Sequence, residues 1–173
     1  ISLLFILRDI LGIAKSRKEV RYILSNGDVR INNKVRKEEN FPVQVFDVVN
    51  LEKTKENYRL EIVNRKFSLQ KIDAKDAGKK VVKIIGKKFL GKDKIQINLD
   101  DGQNFITKEK VSVGDSVVID TMKDTVVKII PLKEGANVEI ISGKHAGEKG
   151  KLIGFENLVR GKDYLIKLEN KEV

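Results

Sequence analysis

The sequence predicts an α+β, multi-domain chain with a small helix-plus-hairpin domain, then a strand-rich barrel-like middle domain, then an SH3-like β-barrel. Three observations lead to this prediction. Helical spacing of apolar residues is confined to the start, many short alternating segments follow it, and a glycine-rich loop lies between two apolar strands near the end. The length of 173 residues suits one medium domain or two to three small ones. Polar runs near residues 52–57 and 131–135 predict domains at 1–53, 54–130 and 131–173.

Two short helices are predicted at the start of the chain. Apolar residues at helical spacing form one stripe, which a packed helix would bury: Leu3, Ile6, Leu7, Ile10 and Ala14. We expect this helix to stop near Gly12. Ser16 to Glu19 has the Ser-x-x-Glu form of a capping box, so a second helix should begin there and end at Asn26-Gly27.

A hairpin and a further strand should complete the first domain. Residues 29–36 alternate apolar and basic side chains around Asn32-Asn33, and Asn tolerates the positive φ of a tight turn. The apolar residues between Phe41 and Leu51 predict the next strand.

The middle of the chain alternates with period two in many short segments. Residues 58–62 and 67–72 read as a hairpin, and residues 73–78 as a short helical turn closed by Gly. Asp100-Asp101-Gly102 is a strong turn signal between two more strands. Further strands are expected at 81–85, 94–99, 103–106, 113–119 and 125–130. Many short strands with tight turns favour a small barrel or sandwich.

The last part of the chain is organised by three glycines between two apolar strands. Val138 and Ile140 should face inward before the loop, and Leu152 should pack after it. We expect unusual backbone angles over residues 143–147. At Gly150 the missing side chain would permit a close backbone approach. A third strand at 163–168 and a turn at 169–172 are expected, after which a small barrel would need a closing strand.

The charge favours a polyanionic partner. The chain has 35 Lys and Arg against 25 Asp and Glu, for a net charge of +10. Nucleic acid is the first expectation and an anionic membrane surface the second. Basic residues exceed acidic ones by 10 to 7 in residues 1–53, by 17 to 11 in 54–130 and by 8 to 7 in 131–173. The absence of Cys excludes disulfides and thiolate zinc sites and suits a reducing cytoplasm. The opening apolar run falls short of the ~20 residues of a membrane span.

Cations lie where a nucleic-acid backbone could be held. A helix start offers free amides to a phosphate, and the glycine loop presents its cations for phosphate or ribose contact. The candidate RNA-binding residues are Arg8, Lys15, Arg17, Lys18, Arg21, Arg30, Lys34, Arg36, Lys87, Lys88, Lys92, Lys144, His145, Lys149 and Lys151, with Gly143, Gly147 and Gly150 as structural residues of the loop. The alternative is an ordinary solvated face, and lysines at a strand edge can serve to prevent aggregation.

The sequence predicts no enzyme, no cofactor and no metal site. His145 is the single His, so two histidines cannot ligate a metal within one chain, and a Cys nucleophile is excluded. Asp100-Asp101 is better explained by turn chemistry than as an acid–base pair. The sequence has neither a P-loop nor a Gly-x-Gly-x-x-Gly at a strand–helix joint.

Two segments resemble known RNA-binding modules. The two helices joined through Ser16-Arg17, followed by residues 26–35, closely resemble the S-four-type RNA-binding domain of ribosomal proteins, pseudouridine synthases and tyrosyl-tRNA synthetases. Asn33 stands where that domain usually has Gly, and Phe46-Asp47 where it has Gly-Asp. The spacing of the three glycines resembles the KOW motif.

The order of the modules is similar to the e-type family of small-subunit ribosomal protein S-four of archaea and eukaryotes. The resemblance covers nearly the whole chain, including residues 46–49, 57–60 and 67–72. That family has a basic extension ahead of Ile1 and more chain after Val173, so we expect truncation at both ends, with the KOW domain cut at its C-terminal end. The lysine-rich, Cys-free composition leans archaeal.

The resemblance implies a structural constituent of the small ribosomal subunit, acting in translation in the cytoplasm. Its partners would be small-subunit rRNA, bound through the sugar-phosphate backbone and shape, and neighbouring ribosomal proteins. It implies no membrane contact, no small-molecule substrate and a monomer outside the ribosome. Two alternatives stay open: an accessory RNA-binding factor in ribosome rescue or transcription elongation, and a fragment of an RNA-modifying enzyme.

Overall fold

A computed structural model describes residues 1–91, 94–158 and 161–168. Its helical segments are α1 (Leu3–Phe5), a π-helical turn (Ile6–Ile10) and α2 (Arg17–Ser25). Its strands are β1 (Val29–Ile31), β2 (Lys34–Val35), β3 (Val48–Leu51), β4 (Glu56–Val63), β5 (Lys66–Ile72), β6 (Lys79–Gly91), β7 (Lys94–Leu99), β8 (Asn104–Thr107), β9 (Ser116–Asp120), β10 (Thr125–Ile130), β11 (Asn137–Glu139), β12 (Lys149–Leu158) and β13 (Gly161–Leu168). Across these ranges the strands form antiparallel sheets ordered β2-β1-β3-β4-β5, β10-β9-β6-β7-β8 and β11-β12-β13. The predicted α+β, multi-domain class is confirmed.

The first predicted helix is divided into two short segments. α1 passes directly into the π-helical turn, where the Leu11 amide donates to the Ile6 carbonyl at 2.9 Å. The predicted apolar stripe is largely confirmed, because three of its residues are fully buried: Leu3, Ile6 and Leu7. Ala14 is also buried, but it lies beyond the helical segment, which ends before Gly12 at φ +65°.

The capping box at the start of α2 is confirmed. The Ser16 hydroxyl accepts from the Glu19 amide at 3.3 Å. The Glu19 carboxylate accepts from the Lys15 amide at 2.8 Å, and this bond is the main reason that the pKa of Glu19 is lowered. Val20 and Leu24 of this helix lie in the core, and the helix ends at Ser25, with Asn26 as its C-cap before Gly27 at φ +77°.

The strand predicted over Phe41–Leu51 is shorter than expected. Only Val48–Leu51 is a strand, because the preceding segment turns sharply. Phe46 has φ +69°, and the Asp47 carboxylate accepts from the Gln44 amide at 2.8 Å. The predicted hairpin turn is confirmed, with Asn32 and Asn33 at φ +50° and +64°.

The first sheet continues past the predicted domain joint at residue 53. β3 pairs with β4 over Val48–Leu51, and β4 pairs with β5 as the predicted hairpin. The helices pack on this sheet, and one hydrophobic cluster joins both, from Leu3 in α1 to Leu60 in β4. The boundary between residues 53 and 54 stays a prediction, but backbone hydrogen bonding crosses it.

The middle strands form a curled half-barrel. β6 is long enough to pair with β9 through residues 79–83 and with β7 through residues 84–91, with a register shift at Ile84/Gly86 where it changes partner. Its core holds Ile84, Ile97 and Val117, all fully buried. The predicted helical turn at 73–78 is confirmed as a single turn, in which the Ala77 amide donates to the Asp73 carbonyl at 3.1 Å, and no longer helix forms there.

The last described sheet contains the glycine loop. β11 pairs with β12, and β12 with β13. Gly143 and Gly147 have φ +90° and +87°, as predicted, and Leu152 is 2% exposed. The turn predicted at 169–172 lies outside the described residues.

Side chains and loops tie the three sheets together. The Asn33 side-chain amide donates to the Thr121 hydroxyl at 2.8 Å, which joins the β1–β2 turn to the turn after β9. The Arg65 amide in the β4–β5 turn donates to the Ala146 carbonyl in the glycine loop at 3.2 Å. A Cβ on Gly147 would lie 2.5 Å from the Ile62 carbonyl oxygen, so the glycine allows this loop to dock on β4.

Candidate nucleic-acid interface

The start of α2 presents two arginines organised by one carboxylate. Both guanidinium groups contact Glu39, with Nε–O distances of 2.9 Å from Arg17 and 3.1 Å from Arg21. Hydrogen bonds from Arg17 and then Arg21 are the main causes that lower the pKa of Glu39 to about 2. The arginine side chains stay 56% and 61% exposed, so their outer edges can still meet an anion.

Two lysines extend this surface without the help of Glu39. Lys15 precedes the N-cap, Lys18 lies in the first turn, and both are exposed. The structure therefore brings together four predicted residues at one helix start, the group we call the α2 basic surface: Lys15, Arg17, Lys18 and Arg21. A helix start of this kind favours phosphate through its free amides and its dipole.

The hairpin cations are engaged more than the sequence suggests. Arg30 forms an ion pair with Glu52 at 2.7 Å, and Lys34 forms one at 3.3 Å with Asp124 in the turn between β9 and β10. The Arg36 guanidinium lies 4.2 Å from the centroid of the Phe41 ring. Exposed ion pairs contribute little to stability, so a cation in such a pair can exchange its partner for a phosphate. These residues therefore stay candidates, although part of their positive charge is already offset.

Arg8 lies on the π-helical turn, away from the capping box of α2. Its guanidinium forms an ion pair with the adjacent Asp9 at 2.8 Å, and both side chains are more than a third exposed. The neighbouring carboxylate offsets the positive charge of Arg8 locally.

The middle-domain cations lie on the β6–β7 hairpin. Lys87 and Lys88 are exposed, and the Lys87 ammonium donates to the Val111 carbonyl at 2.8 Å. Lys92 lies outside the described residues.

The glycine loop and the start of β12 carry three exposed lysines and one half-buried histidine. The exposed residues are Lys144, Lys149 and Lys151. His145 Nδ1 lies 3.1 Å from a Glu148 carboxylate oxygen, which orients the imidazole. Lys149 is paired in register with Glu139, whose pKa is raised because desolvation outweighs the attraction of that lysine.

Gly150 has the role that the sequence predicted. Its φ is ordinary, but an added Cβ would clash with the Lys167 carbonyl oxygen across the sheet. The site is therefore a close approach between β12 and β13, and a side chain there would push the strands apart.

Sequence reasoning missed a buried cation at the centre of the molecule. The Lys80 ammonium lies 2.7 Å from Asp47 and 2.8 Å from Asp101, and all three side chains are at most 5% exposed. Lys80 therefore joins the first sheet to the half-barrel instead of facing a partner. A signal was present, since alternation along β6 places Lys80 on the same face as Val82 and Ile84.

Arg65 was also missed as a candidate. It lies in the β4–β5 turn, is exposed, and neighbours Lys144 and His145 around a cavity of about 440 Å³. The sequence around it, Asn64-Arg65-Lys66, indicated only a turn. Its proximity to the glycine loop depends on contacts more than 80 residues apart in the chain.

Residues 1–91, 94–158 and 161–168 hold no group of three or more His, Cys, Asp or Glu side chains placed to bind a metal ion. In the same part of the chain, no helix is long and apolar enough to cross a membrane.

Comparison with known proteins places these features in one family. Residues 5–49 match the S4 domain, and residues 54–126 match the ribosomal family S4e. The chain is 34% identical to the small ribosomal subunit protein eS4 of Methanosphaera stadtmanae over 99% of its own length and 72% of that protein. It is 33% identical to the protein of the same name from Archaeoglobus fulgidus, over 99% of this chain and 73% of that protein.

A solved structure supports the same conclusion. The crystal structure of the 30S ribosomal protein S4e from Thermoplasma acidophilum superposes with a TM-score of 0.82 at 28% identity, covering 98% of this chain and 87% of that one. The S4 match precedes the S4e match, in the order predicted for the first two modules, while the KOW domain at 131–173 stays a prediction. The chain belongs to the S4e family of ribosomal proteins.

Proposed function

We propose that this chain is a structural constituent of the small ribosomal subunit and that it binds rRNA through the sugar-phosphate backbone. The observation that carries the proposal is the α2 basic surface, which lies within the residues that match the S4 domain. Relatives across archaea bear the name small ribosomal subunit protein eS4, which supports the ribosome as its place of action.

The mechanism is electrostatic clamping by rigid parts. Arg17 and Arg21 are held in place by Glu39, so little side-chain freedom is lost when they meet a phosphate. Lys80 and its two aspartates fix the first sheet against the half-barrel. Shape and spacing of phosphates, more than base sequence, then decide which RNA fits.

The glycine loop supplies a second contact region under this proposal. Lys144 and His145 lie in the loop, Lys151 follows on β12, and Arg65 lies beside the loop on the docked β4–β5 turn. No residue in either region is proposed to make or break a covalent bond, and the chain acts as a binding protein without a cofactor.

The salt dependence of rRNA binding tests this proposal. We expect the variant R17A/K18A/R21A to bind small-subunit rRNA more weakly, with the slope of log K against log salt reduced by about 2. The matched control K110A/K123A/K128A removes the same charge from exposed lysines of the middle domain. An equal slope in the native chain and the α2 variant, or an equal loss in the control, would contradict the role of the α2 basic surface.

A further inference from the structure

The β6–β7 hairpin extends beyond the half-barrel core. β6 loses its β9 partner after Lys83, and residues 87–91 pair only with β7. Burial along β6 alternates up to Ile84 and then stops, so every residue from Lys87 to Gly91 is exposed. We call residues 87–91 together with 94–97 the β6–β7 arm.

The aromatic ring of Phe89 is exposed to solvent on this arm. Phe89 is 69% exposed, although its partner across the ladder, Ile95, is 8% exposed. A single exposed apolar residue is common on protein surfaces, but a Phe this exposed among charged neighbours suggests a contact with a partner. The adjacent Leu90 is 45% exposed, so the strand presents two large apolar side chains in a row.

Positive charge surrounds the ring. The Lys87 ammonium lies 5.6 Å from the centroid of Phe89 and is held there by its bond to the Val111 carbonyl. From Lys87 to Ile97 the sequence has four lysines against one acid, Asp93. A neutral protein surface would leave the Lys87 cation beside an apolar contact with no anion to meet it, whereas RNA offers a flat base and a phosphate together.

We propose that Phe89 stacks on an unpaired RNA base, while Lys87 and Lys88 contact the flanking phosphates. Aromatic side chains beside cations are the usual way in which proteins hold unstacked bases, because every base has a π-face. This inference rests on the proposed function. It adds a contact to single-stranded RNA bases to the phosphate contacts proposed for the basic side chains.

The absence of Trp from the chain makes the test direct. In the variant F89W the full chain carries one indole, which can be excited without exciting Tyr. A single-stranded oligoadenylate should quench its fluorescence, and an RNA duplex with the same number of phosphates should not. The control I106W places the indole on the neighbouring strand β8, at a residue that is 63% exposed and faces the other side of the sheet.

Affinity gives an independent readout. F89A should bind the oligoadenylate about 5- to 100-fold more weakly than the native chain, whereas I106A should bind it as the native chain does. Equal quenching at residues 89 and 106, or an F89A variant with native affinity, would overturn the stacking contact. Phe89 would then be better explained as a contact to a neighbouring protein. If F89A binds small-subunit rRNA normally, only this inference fails. If the native chain itself has no affinity for that rRNA, the proposed function fails.

Discussion

Replacing Lys80 with Met should destabilise the whole chain, because Lys80 is the buried link between the first sheet and the half-barrel. Met keeps most of the volume of the lysine stem but removes the ammonium group. The carboxylates of Asp47 and Asp101, each 5% exposed, then lose the charge that lies 2.7 and 2.8 Å away.

The expected loss of stability depends on the hydrogen bonds that each carboxylate keeps after the substitution. Asp47 still accepts from the Asn32 side-chain amide at 2.9 Å and from the Gln44 amide at 2.8 Å. Asp101 still accepts from the Gln103 amide at 3.0 Å. Removing one partner of a buried ion pair costs about 3–5 kcal/mol, which is a large share of the ~5–15 kcal/mol that holds a typical domain folded.

Urea unfolding of the full chain measures this cost as a change in the free energy of unfolding. The matched control is K79M, since Lys79 is the preceding residue on β6, is 51% exposed and pairs with Asp76 at 3.6 Å. We expect the control to change stability by less than about 0.5 kcal/mol. The variant D47N/K80M/D101N removes all three charges and should recover part of the loss, because no buried charge is left unpaired.

A K80M variant that loses less than about 1 kcal/mol would refute the reasoning. The same holds for a triple variant that is no more stable than K80M, since the cost would then come from packing and not from charge.

Three further predictions follow from local geometry. G147A should lose more stability than G143A in thermal unfolding, because both have positive φ but only Gly147 has a backbone oxygen 2.5 Å from the added Cβ; equal losses would argue against docking of the loop. T121V should lower the free energy of unfolding, measured by urea denaturation, by about 1–2 kcal/mol, because it removes the hydrogen bonds of that hydroxyl to Asn33 and to the Gly78 carbonyl. An unchanged free energy of unfolding would show that this contact does not hold the two sheets together. The pKa of Glu39 is about 2 in the folded chain, below its ordinary value, so its contribution is present above about pH 5 and lost as the pH falls toward 2. The melting temperature of E39Q should therefore fall less than that of the native chain over this range, and parallel curves would contradict the paired arrangement.

Features set by neighbouring residues could be predicted from the sequence. The turn at Asn32-Asn33 depends on the tolerance of Asn for positive φ, and the capping box depends on side chains three residues apart. The backbone angles of Gly143 and Gly147 were predicted for the same local reason.

Features that depend on distant contacts were missed or misplaced. Glu39 organises arginines 18 and 22 residues before it, and no local pattern marks an acid for that role. The strand predicted from Phe41 failed because Phe46 takes a positive φ that its side chain does not suggest. Lys80 was missed, although its place in the period-two pattern of β6 indicated a buried side chain.

The most direct test of the central claim is co-sedimentation of the full chain with small ribosomal subunits from its own cells through a high-salt gradient. Our account predicts that the chain stays with the small subunit in equimolar amount after the wash. Release of the chain from mature small subunits by the high-salt wash would contradict it and favour an accessory RNA-binding factor.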